Sequence, residues 1–392
     1  TGVLKRPISV LTFVLDGQDW PTGASPFKRT NLIIHLLNGL LLFLLVRKIF
    51  SYHAQQSSKK EVIAFFATGI WLLHPFMVST TLYVVQRMAM LPLTFSLLGM
   101  IFYLVARYRY SNNKSKKNIA QLFFIVIIST ILCMFSKENG VLFLPLLFLF
   151  EVFVIQRYLG FEPMGKKVRL FLLKIPVILL FIAFLLMTVK YLDGYDVRSF
   201  SPYERQLTEF RVLLDYIYHL LVPKYFTYGV FTDGFTLSTG WLKPYSTLLS
   251  FIALVALLAG AYVFRNRYIW FSFVVFFFFI SHIIESTLIP LELYYEHRNY
   301  LASVFIGVPL ILLVLKLVTN SKIYYIIPIA MIGYIGFLTT LRSNVWSDNF
   351  KLHEMTMEKF PESKRAFIMT ADFYARNGYE QQTIEILNRA IE

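Results

Sequence analysis

The chain has 392 residues, of which 57% are hydrophobic, and a mean hydropathy of +0.59. That excludes an ordinary soluble domain and fits a polytopic membrane protein. A net charge of +15 would suggest a nucleic-acid partner in a soluble protein. In a chain this apolar it reads as topogenic charge on cytoplasmic loops, with the lipid bilayer and no nucleic acid as partner.

The chain opens at Thr1 on "TGVLKRPISVLTF", without an initiator Met. The expectation is that a first membrane span and part of a loop precede it. Ten spans of about 20 apolar residues can be drawn: 27–46, 62–77, 88–106, 118–135, 141–156, 174–191, 246–264, 268–287, 301–318 and 323–341. With the expected preceding span the full protein would have eleven. The fold class is therefore all-α polytopic membrane protein, with the membrane domain over 1–341 and a tail over 342–392.

The connections alternate in charge. "RKIFSYHAQQSSKK", "RYRYSNNKSKKN", "QRYLGFEPMGKKVRLFLLK", "RNR" and "KLVTNSK" hold 18 Lys and Arg, against Glu162 and the adjoining Glu61. The positive-inside rule makes these cytoplasmic. The other connections then face outward, including the long stretch 192–245, with five basic and six acidic residues. By parity the opening stretch and the tail are extracytoplasmic too. Within 192–245, "TEFRVLLDYIYHLLVPKYF" reads as an amphipathic helix lying along the interface. In the tail, Ala371, Tyr374, Gly378, Ile384 and Ala390 fall as in one tetratricopeptide unit. Cys133 is the only cysteine, so no internal disulfide is possible.

Polar residues gather at the outward ends of spans, while the mid-spans are mostly plain Leu, Ile and Phe. Asn31 and His35 lie in the outer half of the first span drawn, and His74 ends the second in "LLHPF". Gln86 and Arg87 precede the third. Lys137 and Glu138 stand between the fourth and fifth in "FSKENGVLFLP". Glu285, Glu292, Glu296, His297 and Arg298 flank the eighth and ninth. A bundle would bring these ends to one cavity. Arg6, Lys28, Arg29, Arg87, Lys137 and Arg298 are candidates to hold an anionic group, since arginine's planar donor fork suits phosphate. Asp16, Asp19, Glu138 and Glu296 are the carboxylates available as a base or to orient cations. Each has a blander reading: His35 and Asn38 as interhelical hydrogen bonds, His74-Pro75 as a helix end, Lys137-Glu138 as a salt bridge at a turn. No metal-spaced His/Cys cluster, Gly-rich phosphate loop or Ser-His-Asp pattern occurs. No cofactor is implied, though a divalent cation stays open.

The runs "RPISVLTF", "PFKRTNLIIHLLNGLLLF", "LLHPFMVSTTLYVVQRMAMLPLTFSLLGMIFY", "SKENGVLFLPLLFLFE", "EHRNYLAS" and "TLRSNVWSDN", followed by the repeat-like tail, span nearly the whole chain in order. This ordered set resembles the C-type (GT-C) membrane glycosyltransferases, in the branch that joins a polytopic domain to tetratricopeptide repeats. That branch includes O-mannosyltransferases of the endoplasmic reticulum and bacterial protein O-glycosyltransferases. The resemblance implies a GT-C-like helical bundle that moves a sugar from a polyprenyl-phosphate carrier to an extracytoplasmic acceptor, such as protein hydroxyl groups. It implies donor-phosphate binding by Arg298, Lys137, Arg87 and Arg6. Glu296, His297, Glu138, His74, Asn31 and His35 would support them. It also implies that the catalytic acid lies upstream of "RPISVLTF", and so upstream of Thr1, which leaves Asp16 and Asp19 as weak substitutes. The spelling of "EHRNYLAS" and "PFKRTNLIIHLLNG" looks bacterial, so the expected location is the inner membrane with the site facing the periplasm, and a pilin-like protein is the expected acceptor. Two other readings stand beside it. A transporter or flippase would want ionisable groups near the bilayer midplane. A non-catalytic scaffold would act through its tail.

Overall fold

A computed structural model describes residues 5–17, 23–53, 57–227, 234–318, 323–361 and 363–391. It is about 80% helical, with no strand among the described residues. The protein is an all-α membrane protein: among the described residues seven helices are long and apolar enough to cross a bilayer, or nine if two bent pairs each count as one span.

The order begins with α1 (Pro7–Asp16) and the long α2 (Ala24–Tyr52). Next come α3 (Lys60–Leu72) and α4 (Pro75–Leu82), bent by 53° at the break. The bend falls at His74, whose backbone is extended (ψ 125°), as a residue before proline must be. After α5 (Arg87–Asn112), α6 (Lys116–Ser136) is capped by the Ser115 hydroxyl on Asn118 N. The turn into α7 (Glu138–Tyr158) admits only glycine at Gly140, where a Cβ would stand 2.1 Å from Cys133 O. α7 widens to i→i+5 turns over Glu151–Tyr158. α8 (Lys166–Lys190) follows.

The stretch drawn as an interfacial helix becomes α9 (Pro202–Leu221), started by a reciprocal Ser201–Glu204 capping box. Then come α10 (Ser246–Val263) and α11 (Ile269–His282). α12 (Glu296–Ala302) and α13 (Gly307–Leu317) form the second bent pair, at 61°. Gly307 seats α13 against α3, since a Cβ there would lie 2.2 Å from Ala67 O. α14 (Ile323–Ser347) leads to the tail helices α15 (Asn349–Lys359), α16 (Lys364–Arg376) and α17 (Glu380–Ile391).

Ten continuous spans were expected, and the structure differs in three of them. Two are broken by the bends. The third, drawn over 268–287, is the 14-residue α11, which ends at His282 and so leaves Glu285 outside the helix. The core runs through α2, α3, α5, α6, α7, α11, α12 and α13, with Phe50, Trp71, Tyr103, Phe143, Phe273, Tyr300 and Phe305 fully or almost fully enclosed. The apolar stretch around α5 is 67% buried, against 11% for α8, so α5 is central and α8 peripheral. The tail hairpin α16–α17 turns at Gly378 (φ +81°) around Phe367, Ala371, Tyr374 and Ile386, while Ile384 is exposed. Phe360 faces Phe226, which attaches the tail to the stretch after α9.

Two ends of the bundle can be told apart. One gathers the basic connections: Arg157 donates to Arg265 O at 3.4 Å, and Lys316 sits over the Tyr268 ring. We call it the basic end. The other carries the polar clusters and α9, and we call it the site end.

Candidate functional site

At the site end, two breaks in the helical path set the geometry. Helix α6 stops at an extended Lys137, whose ammonium then reaches Glu285 beyond α11 at 2.7 Å. Arg6, in a left-handed backbone (φ 48°), donates to Glu138 at 2.8 Å. Half-buried His297 lies within electrostatic reach of Lys137, Glu285, Arg298 and Arg6. Arg6, Lys137, Glu138, His297 and Arg298 thus lie in one neighbourhood.

A second group adjoins it through α12. Buried Glu296 accepts from Arg342 Nη2 at 2.6 Å and from the Thr227 hydroxyl. His74 Nδ1 accepts from Phe76 N and its Nε2 donates to Leu220 O at 3.2 Å, which fixes the tautomer. His219 lies 3.5 Å from Asp215, which also accepts from Tyr294 at 2.9 Å.

Four predicted residues, Arg87, Asn31, Asp16 and His35, sit in different surroundings. Arg87 is fully buried and uses all three nitrogens: on Asn31 at 2.8 Å, on Thr12 O at 2.7 Å, and on Asp16 and Phe27 O. Asp16 accepts from Thr30 as well at 2.8 Å. This knot ties α1, α2 and α5 together and spends both the arginine and the carboxylate. His35 bridges Tyr300 at 2.8 Å and Leu72 O at 2.9 Å, so both ring nitrogens serve helix contacts. Two positions that bear on the catalytic acid lie outside the described residues. They are Asp19, the other weak substitute, and Thr1, upstream of which the resemblance puts that acid.

Sequence reasoning missed α9's contribution. Arg205 is fully buried and donates to Thr287 O and Glu285 O, each at 2.8 Å, and to Leu291 O, which fastens α9 over the segment between α11 and α12. Glu209 lies between Arg205 at 3.1 Å and Arg298 at 3.7 Å. The signal was the spacing of Arg205, Glu209 and Tyr216, which puts them on one helix face. That face packs inward with its charges rather than showing them to water. Arg342 was also missed, although "TLRSNVW" carries it.

Charge and burial act oppositely on two of these acids. Burial pushes the Glu209 carboxyl up to about 7, against the pull of Arg298 and Arg205. Burial pushes Glu285 up as well, but Lys137, Arg298 and His297 outweigh it and hold it at about 2.

Many donors and acceptors here have no hydrogen-bond partner within the described chain. They include both Glu209 oxygens, Arg342 Nε and Nη1, Glu138 Oε1, Asn139 Oδ1 and Asn299 Oδ1. Arg298 is more committed, donating to Leu293 O at 2.8 Å and to Glu292 O. No group of three or more His, Cys, Asp or Glu side chains suited to a metal ion occurs among the described residues. Compared with protein-family models, curated proteins and solved structures, the chain matches none.

Proposed function

We propose that the protein is a C-type membrane glycosyltransferase that moves a sugar from a polyprenyl-phosphate donor to an extracytoplasmic acceptor, a protein hydroxyl on a pilin-like surface protein. In this reading it lies in a bacterial inner membrane with the site end facing the periplasm. The supporting observation is the convergence of Arg6, Lys137, Glu138, Glu285, Glu296, His297, Arg298 and Arg342 from five chain regions, at one end of an apolar bundle, with polar atoms left unpaired among them. Charges in such a setting are costly and concentrate where a ligand uses them.

Lys137, Arg6 and the open donors of Arg342 are the groups to receive the donor phosphate, and Arg298 shapes the floor through its carbonyl bonds. Transfer forms a bond from the acceptor oxygen to the anomeric carbon and breaks the sugar–phosphate bond. The cations stabilise the polyprenyl phosphate that leaves with the electron pair. The acceptor proton goes to a carboxylate. Asp16 is taken up by Arg87 and Thr30, so this reading gives the role to an acid outside the described residues.

A structural staple is the competing reading, and the pairing of Lys137 with Glu285 and of Arg298 with Glu209 favours it. The test uses membranes holding the full-length protein, labelled polyprenyl-phosphate sugar and acceptor. Under the transferase reading, Lys137→Gln and Arg298→Lys, which keeps a buried cation beside Glu209, lower transfer at least tenfold and far more than they lower folded yield. Normal transfer by both variants defeats it, as does the absence of any covalent product with the intact protein.

A further inference from the structure

Away from that site, a groove of about 1120 Å³ runs between α11 and α13. Trp270, Phe278, Leu310 and Leu313 form its walls, and Leu220 and Leu221 of α9 close its upper part. Its other mouth is at the basic end, where Arg157, Arg267 and Lys316 line it together with Lys59. No carboxylate is in the lining, and none pairs with Arg157, Arg267 or Lys316 among the described residues. Arg267 and Lys316 both lean on the Tyr268 ring, at 5.4 and 5.5 Å from its centroid. Like charges gathered at one apolar rim repel each other unless an anion lies among them. His53 Nδ1, also in the lining, has no hydrogen-bond partner among the described residues.

We propose that this groove binds an anionic phospholipid, with the phosphate headgroup on Arg157, Arg267 and Lys316 and an acyl chain along α11. Charge complementarity selects the headgroup: basic pockets between helices at one membrane face attract acidic lipids. Length selects a lipid over a free phosphate. The 14 residues of α11 run about 21 Å, longer than the roughly 15 Å of hydrocarbon in one leaflet. The inference stands apart from the transferase reading, because Arg157, Arg267 and Lys316, which would hold the headgroup, all lie at the basic end.

The test is native mass spectrometry of the full chain, delipidated and then offered phosphatidylglycerol and phosphatidylcholine of the same chain length. The expected result is at least tenfold preference for phosphatidylglycerol. Each cation is worth about a fivefold change in affinity, so Arg157→Gln, Arg267→Gln and Lys316→Gln combined should cost on the order of a hundredfold and leave phosphatidylcholine binding unchanged. All three side chains are exposed, so the variant keeps its core. The swap Arg157→Lys, Arg267→Lys and Lys316→Arg should retain the preference. The proposal is overturned by equal binding of the two lipids, or by a preference that survives in the Gln variant. It is overturned too if millimolar glycerol phosphate displaces the lipid, which would mark a plain anion site. Polyprenyl phosphate that displaces phosphatidylglycerol from wild type and Gln variant alike would assign the groove to the polyprenyl chain instead.

Discussion

Arg107 and Arg342 are both buried arginines on long apolar helices, and each is paired with a buried glutamate. They differ in how their surroundings are completed. Near the basic end, Arg107 gives Nε to Glu151 at 3.1 Å, Nη1 to Ser111 at 2.7 Å and Nη2 to Glu162 O. Glu151 in turn accepts from Tyr103 at 3.0 Å and Gln156 at 2.8 Å. Every polar atom of that pair is satisfied. Arg342 gives only Nη2 to Glu296, and its Nε and Nη1 find no partner among the described residues. A closed network needs nothing more and reads as structure. An open one keeps donors that a bound group can use.

The comparison can be broken most sharply at Arg107. Arg107→Met leaves Glu151 as an uncompensated buried charge, and the expected loss is about 3–5 kcal/mol. Adding Glu151→Leu removes both charges, and most of the stability should return. Thermal unfolding in detergent reads both. A double variant no more stable than the single would mean that the pair holds α5 and α7 by more than charge.

Next comes pH. Glu209, raised to about 7 in the fold from an ordinary 4.5, binds its proton more tightly when folded. Stability therefore falls as pH rises from about 4.5 to 7, by at most on the order of 3 kcal/mol. Glu285 has the opposite sign. Held at about 2, it adds stability above pH 4.5 that is lost as pH falls towards 2. Melting curves from pH 3 to 8 should thus show a maximum near pH 4.5. Glu209→Gln should flatten the limb from 5 to 7 and leave the acid limb intact; an unchanged upper limb would refute the assignment.

Arg342→Met sharpens the contrast from the open side. It strips Glu296 of its cation but also removes donors that were unpaired when buried. The expected cost is about 1–3 kcal/mol, below that of Arg107→Met. Under the transferase reading, sugar transfer should fall far more than stability does. Equal losses of stability at Arg107 and Arg342 would end the distinction between closed and open networks.

Much of this was legible in the sequence, for stated reasons. Apolar length located the spans, "LLHPF" marked a helix end, and "FSKENG" marked a turn that brings a cation and a carboxylate to one end. The bend between α12 and α13 was not legible, because "SVFIGVP" stays apolar throughout and only Gly307's contact with Ala67 shows why the path turns. Glu151 was overlooked because it lies inside an otherwise plain apolar run, and its partner Arg107 reads as loop charge at the end of a span. The reach of Arg205 was hidden for another reason. A helical period says which residues share a face, not whether that face meets water or protein.

The smallest effect belongs to the rim. Arg198 meets Glu292 at 2.8 Å, with 26% and 41% of the two side chains exposed. It fastens the stretch just before α9 to the segment before α12, the same segment that Arg205 holds from within α9, but it does so in contact with water. Water screens the attraction and holding two long side chains costs entropy, so Arg198→Ala should cost less than about 1 kcal/mol. Arg205→Met removes a fully buried guanidinium and leaves carbonyls at Glu285, Thr287 and Leu291 without their donor, so its cost should be several times larger. Both hold the segment before α12, so comparing the two melts sets a buried fastening against an exposed one. Equal shifts would show that the segments are held by apolar packing, and that the buried arginine of α9 is no stronger a fastening than the exposed one.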